Sequence, residues 1–214
     1  MRMLITGVSG MLGNNLARYF RDSFSILGFY HQHPVTIQGV QARPLNLLEK
    51  SLLKRQIDLF APDVVIHCAS LTDLDFCEKN REMAFAINTE TTHHLVESLK
   101  TSPAKFVFIS SDAVYDGCRG EYTEEDAVSP SNVYGETKIE AEKIAAQREN
   151  SSILRTNIFG WNILSKLSLA EWFLSNLGKG NKVKGFHDVR FSALYTFTFA
   201  RILEKVLKKN LKGL

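Results

Sequence analysis

The chain has 214 residues, 44% of them hydrophobic and 23% charged, with a net charge of +3 at neutral pH. That is one domain of generous size, or a main domain with a small lobe, with enough chain to bury a core. The small, evenly spread charge argues against a nucleic-acid partner, and no apolar stretch approaches the ~20 residues of a membrane span. Cys68, Cys77 and Cys118 include no C-x-x-C and leave one thiol over in any disulfide scheme, as reduced thiols in a cytoplasmic setting would.

In chain order, "RMLITG" reads as a buried strand followed by a helix from Met11 to Arg21. Glycines interrupt this opening apolar run too soon for the core of a secretory signal. "FSILGFY" is a second strand and "VQARPLNL" holds a short third. A helix over Glu49 to Phe60 precedes the strand "DVVIHCAS", and a helix over Glu82 to Leu99 precedes "AKFVFISS". A long loop leads to a helix carrying Tyr134 and Lys138, and "SSILRT" is a further strand. Near-continuous apolar strands alternating with helices predict βαβ units, hence a doubly wound α/β fold with a parallel sheet. The boundary is expected after Thr156, with residues 157–214 forming a small substrate lobe that ends in a helix with a solvated basic face.

Gly7, Gly10 and Gly13 in "TGVSGMLG" follow the first strand and open the first helix. Gly7 would allow a tight turn, Gly10 the approach of a pyrophosphate, and Gly13 close helix–sheet packing. The helix N-terminus would offer N–H groups and the positive end of its dipole. A Walker A loop is excluded, because no Gly-Lys-Ser/Thr follows. NAD binding would be served by a carboxylate after the second strand, but "GFYHQHP" has none. Tyr30, His31, Gln32 and His33 leave room for a 2′-phosphate, which favours NADP and leaves NAD open.

Tyr134 and Lys138 are four residues apart, so a helix places them on one face. A phenol near an ammonium has a lowered pKa, which suits a proton donor. Ser110 and Ser111 end the strand at the carboxyl edge where a nicotinamide should lie, and spacing alone admits either. His93 and His94 point about 100° apart on a helix, a poor pair for a shared metal, and none is expected. Asp73 and Asp75 in "LTDLD" read as a solvated loop, and Cys68 as a small buried apolar residue.

Taken together, the glycine loop, "SSDAVYDG", "YGETK" and Asn88 in "FAINTETT" resemble the extended short-chain dehydrogenase/reductases. Within these, "VIHCASLTDLDFCEKN", "ISSDAVYDG", "SPSNVYGETKIEAEK" and "LRTNIFG" are similar to the dTDP-4-dehydrorhamnose reductase branch, over Met1 to about Gly160. The resemblance implies that Tyr134 is the general acid, that Lys138 binds the nicotinamide ribose, and that Ser111 rather than Ser110 bonds the substrate oxygen. It places Met11, Leu12, Asn46, Leu47, Cys68, Ala69, Ser70 and Asn88 against the cofactor, beside the glycines, Tyr30 and His31. Thr72, Asp112 and Arg190 fall on the substrate side. The implied activity is NAD(P)H-dependent reduction of the 4-keto group of a nucleotide-linked deoxy sugar, by a cytoplasmic enzyme that can pair as a homodimer. The same resemblance implies a longer carboxyl lobe, with a further strand and helix after "LKGL". A non-catalytic NADP-binding subunit, similar to the regulatory beta subunit of methionine adenosyltransferase, is the alternative, and a sugar-nucleotide epimerase the third reading.

Overall fold

The computed structural model describes residues 1–164 and 167–214. Its strands are β1 (Arg2–Thr6), β2 (Ser25–Tyr30), β3 (Val40–Pro44), β4 (Val64–His67), β5 (Lys105–Ser111), β6 (Ser151–Phe159) and β7 (Ala193–Tyr195). They form one sheet in the order β3-β2-β1-β4-β5-β6-β7, with every pairing parallel. The direction of winding reverses between β1 and β4, the place where open α/β sheets take ligands at their carboxyl ends.

The helices are α1 (Met11–Phe20), α2 (Lys50–Phe60), α3 (Leu74–Lys79), α4 (Arg81–Phe85), α5 (Thr91–Ser98), α6 (Val133–Ala146), α7 (Leu169–Gly178) and α8 (Thr196–Lys208). Parallel strands are covered on both faces, so their side chains are apolar on both. Every residue of β5 is buried. On one face Leu12, Leu16 and Phe20 of α1 pack with Phe199, Leu203 and Val206 of α8. On the other, Leu53 and Ile57 of α2, Leu95 of α5 and Ala141 and Ala145 of α6 pack against Phe106 and Phe108.

The observed elements differ from the sequence reading in three places. The stretch with Asp73 and Asp75 is a helix: the Asp73 carboxylate accepts the Phe76 N–H at 3.0 Å and caps α3. The helix expected over Glu82–Leu99 is divided, because Ala86–Glu90 winds as a π-helix between α4 and α5. The boundary expected after Thr156 falls inside β6, and β7 and α8 return to the sheet and its core. Between β6 and β7 none of the described apolar side chains is buried, and none of α7 is buried. No helix among the described residues is long and apolar enough to cross a membrane.

Candidate active site

The turn after β1 is fixed by contacts that admit no side chain. Gly7 takes φ +70°, and a Cβ there would lie 2.7 Å from the Ala69 nitrogen. A Cβ on Gly13 would lie 2.3 Å from the Gly7 carbonyl oxygen, so α1 meets the turn backbone to backbone. Gly10 is the N-cap of α1, bonds through its N–H to the Gly7 carbonyl at 2.9 Å, and receives no side-chain cap. The first turn carries no acidic residue, so the free N–H groups and the dipole of α1 are left to an anion. These donors fit a pyrophosphate.

Around this turn the structure puts the half-buried Met11, Cys68, Ala69 and Ser70, and Leu12 in the core. Burial pushes the Cys68 thiol up to about 12, so it is no nucleophile at neutral pH. Tyr30 ends β2 half-buried, and His31, Gln32 and His33 follow it exposed, with no carboxylate among them. Asn46 turns the chain after β3 by accepting the Leu48 N–H at 3.1 Å, and Leu47 is buried beside it.

At the far side of the switch point, Asn132 caps α6 by accepting the Gly135 N–H at 2.8 Å. This cap sets Tyr134 in the first turn and Lys138 one turn later, on one face. The Tyr134 phenol lies against the Ser111 and Ser70 hydroxyls; burial raises its pKa, and the two serines pull it partly back. This differs from the expected phenol–ammonium coupling. The Lys138 ammonium instead donates to the Ile109 carbonyl at 2.7 Å and sits 4.2 Å from the centre of the Phe108 ring. Burial lowers its pKa to about 7, with the charge of Glu142 opposing the shift. Ser111 donates to the Asp112 carboxylate at 3.2 Å and accepts the Ala113 N–H at 3.1 Å. Ser110 donates to Glu142 at 2.5 Å, away from the phenol.

Asn88 sits in the π-turn with each polar valence used. Its oxygen accepts from the Leu71 N–H at 2.7 Å and the Ser70 hydroxyl at 3.0 Å. Its amide donates to the Leu71 carbonyl at 3.0 Å and the Thr137 hydroxyl at 2.9 Å. It therefore clamps the segment after β4 to the helix that carries Tyr134. Beneath it, His67 bonds Thr6 at 2.7 Å and Thr92 at 3.2 Å, and burial lowers its pKa to about 3, so it stays neutral. Sequence reading missed this histidine, whose one signal was a polar residue at the end of an apolar strand.

Of the residues expected to meet substrate, Thr72 and Asp112 are exposed, and Asp112 accepts from the Asn157 amide at 3.0 Å. Arg190 lies exposed in the segment between α7 and β7 and makes no hydrogen bond or ion pair with the serine–tyrosine–lysine cluster. No group of metal-ligating side chains occurs among the described residues.

A doubly wound parallel sheet, a glycine turn that opens its first helix, and a serine, tyrosine and lysine at its carboxyl edge define a Rossmann-type domain of the short-chain dehydrogenase/reductase class. The chain belongs to the RmlD substrate binding domain family, whose model matches residues 1–213. Methionine adenosyltransferase 2 subunit beta from Xenopus tropicalis is 33% identical over 173 residues, which cover 78% of this chain and 49% of that protein. The crystal structure of a hypothetical dTDP-4-dehydrorhamnose reductase from Sulfolobus tokodaii superposes with a TM-score of 0.89 at 33% identity, covering all of this chain and 74% of that one. A dTDP-4-dehydrorhamnose reductase from Bacillus anthracis in complex with NADP superposes with a TM-score of 0.80 at 25% identity, covering 99% and 72%. The chain spans about half the length of the curated relatives it matches.

Proposed function

We propose that this chain reduces the 4-keto group of a nucleotide-linked deoxy sugar, with NADPH as the preferred donor and NADH as the alternative. The observation that carries this is the Tyr134 phenol held beside Ser111, with Lys138 one turn along α6, at the same carboxyl edge of the sheet as the α1 N-terminus. Gly7, Gly10, Met11, Leu12 and Gly13 would hold the pyrophosphate, and Lys138 the nicotinamide ribose. Tyr30 and His31 would flank the adenosine end, with Asn46, Leu47, Cys68, Ala69 and Ser70 lining the groove. The reduced nicotinamide supplies the hydride.

Ser111 would donate a hydrogen bond to the carbonyl oxygen and polarise it. Tyr134 would give that oxygen its proton as negative charge develops there, yielding the alcohol and a phenolate that solvent reprotonates. Burial raises the Tyr134 pKa, so the phenol is protonated at neutral pH, as reduction requires of a donor. Asn88 holds the site without reacting, because its donors and acceptors are committed. Thr72, Asp112 and Arg190 would meet the sugar nucleotide. A cytoplasmic setting fits the three free thiols.

A second reading, a dinucleotide-binding regulatory subunit, draws on the identity with the methionine adenosyltransferase beta subunit. Adding dTDP-4-keto-6-deoxy sugar to the full chain with NADPH separates the two. Loss of absorbance at the nicotinamide band, reduced about a thousandfold in Tyr134→Phe, is the expected result. Tight NADPH binding without turnover would overturn the reductase reading and leave the regulatory one.

A further inference from the structure

The loop from Asp112 to Pro130 joins Ser111 to the helix of Tyr134, and it is bonded mainly to itself. Tyr115 stacks on Tyr122 with ring centres 4.5 Å apart, and Arg119 lies over Tyr122 while pairing with Asp126 at 2.7 Å. Asp126 in turn accepts the Thr123 N–H at 2.7 Å and hydroxyl at 3.0 Å. Gly117, Gly120 and Glu121 all take positive φ, so the loop's path is not one the chain adopts freely.

One side chain joins the middle of this loop to the sheet. Arg155 on β6 pairs in register with Ser110 on β5. Its Nε and Nη2 donate to the two oxygens of Glu142 at 3.0 and 2.7 Å, and both side chains are nearly buried. Its Nη1 donates to the Tyr115 hydroxyl at 2.6 Å, and its guanidinium lies 5.1 Å over that ring. The Tyr115 hydroxyl donates in turn to the Thr123 carbonyl at 2.7 Å. Glu142 stands one turn beyond Lys138 on the same face of α6 and accepts from Ser110. A single planar fork on β6 thus grips the helix of Tyr134 and Lys138 and the loop that leads to it, while Ser110, beside Ser111, bonds the same carboxylate. An ammonium has no such geometry.

We propose that Arg155 is a positioning residue for the sugar-nucleotide substrate: through Tyr115 it fixes the loop as one wall of the substrate site, with Asp112 at its base. The inference rests on the reductase reading. It predicts a specific division of effects, because the loop touches the substrate side and not the glycine turn.

The test uses the full chain, with Tyr115→Phe, which removes only the hydroxyl at the joint and leaves the Glu142–Arg155 pair intact. The expected result is a KM for the sugar nucleotide raised about tenfold, with kcat and the NADPH Kd within about twofold. Arg155→Lys should move the same quantities in the same direction, and further. Trypsin cleavage after the exposed Arg119 reads the loop without reference to turnover. It should quicken about tenfold in Tyr115→Phe, and dTDP-linked sugar should slow it in the parent chain only. An unchanged cleavage rate would overturn the proposal, as would kcat and NADPH Kd shifting while KM stayed fixed. Were the parent chain to bind NADPH without turnover, the reductase reading would fall. Loss of the dTDP-sugar protection would then separately decide the loop.

Discussion

The sheet with its flanking helices and the segment between β6 and β7 are made of similarly apolar sequence and treat it in opposite ways. In the first, Phe20, Phe29, Phe106 and Phe108 are each almost wholly enclosed. In the second, Trp161 is 59% exposed, Leu177 60% and Phe186 85%, and α7 buries no residue at all. Yet α7 is well specified: Ser168 and Glu171 form a reciprocal capping box, and Glu171 also accepts the Asn162 N–H at 3.1 Å. Local rules suffice to start a helix. They do not supply it with a core, and the two regions therefore owe their order to different interactions.

This contrast can be broken most forcefully by truncating matched aromatics. Phe106→Ala removes a ring from the centre of the sheet and should cost about 4 kcal/mol in denaturant unfolding. Phe186→Ala should change stability by less than about 0.5 kcal/mol. Equal losses would mean that the exposed segment has a core of its own.

A second, smaller difference separates the regions by pH. Lys138 titrates near 7 when folded and at 10.5 as an ordinary lysine, because burial penalises its charge. Between those values the unfolded chain holds more protons, so stability should rise with pH. The gain from pH 7 to pH 9 should be about 2 kcal/mol, and Lys138→Met should remove it. A slope unchanged in that variant would place the titration elsewhere. The smallest effect belongs to the outer helix. Ser168→Ala deletes the cap and should weaken α7 by about 1 kcal/mol, seen as faster amide exchange over residues 169–178 with little change in the global transition.

Much of the scaffold was legible because buried parallel strands leave near-continuous apolar runs, as β1, β2, β4 and β5 do. β7 did not: it is three residues long and exists by pairing with Asn157–Phe159. The α3 helix was missed because two aspartates were taken for a solvated loop, when one of them was the cap that starts it. In the site, the glycine spacing marked the turn that opens α1, and the i, i+4 spacing put Tyr134 and Lys138 on one face of α6. The Arg155–Glu142–Tyr115 joint was not legible. It depends on which residue of β6 lies opposite Ser110, and register between strands separated by a helix is not written in either strand alone. The ammonium's partner was likewise misjudged, because the strand carbonyl it reaches leaves no mark in sequence.

The π-turn at Ala86–Glu90 makes winding, rather than composition, the sensitive quantity in that stretch. A turn that holds one residue more than an α-turn absorbs the rotation of about 100° which that residue would add to an α-helix. Residues on either side of it, Ala84 before and Thr92 and Leu95 after, face the interior only because that extra step is present. Rewinding the same residues as one continuous α-helix would turn its two halves about 100° out of alignment, one of them presenting its buried face to water. Alternative side chains can be accommodated along this helix one at a time, whereas loss of the wide turn at constant length would rotate every contact on one side of it at once.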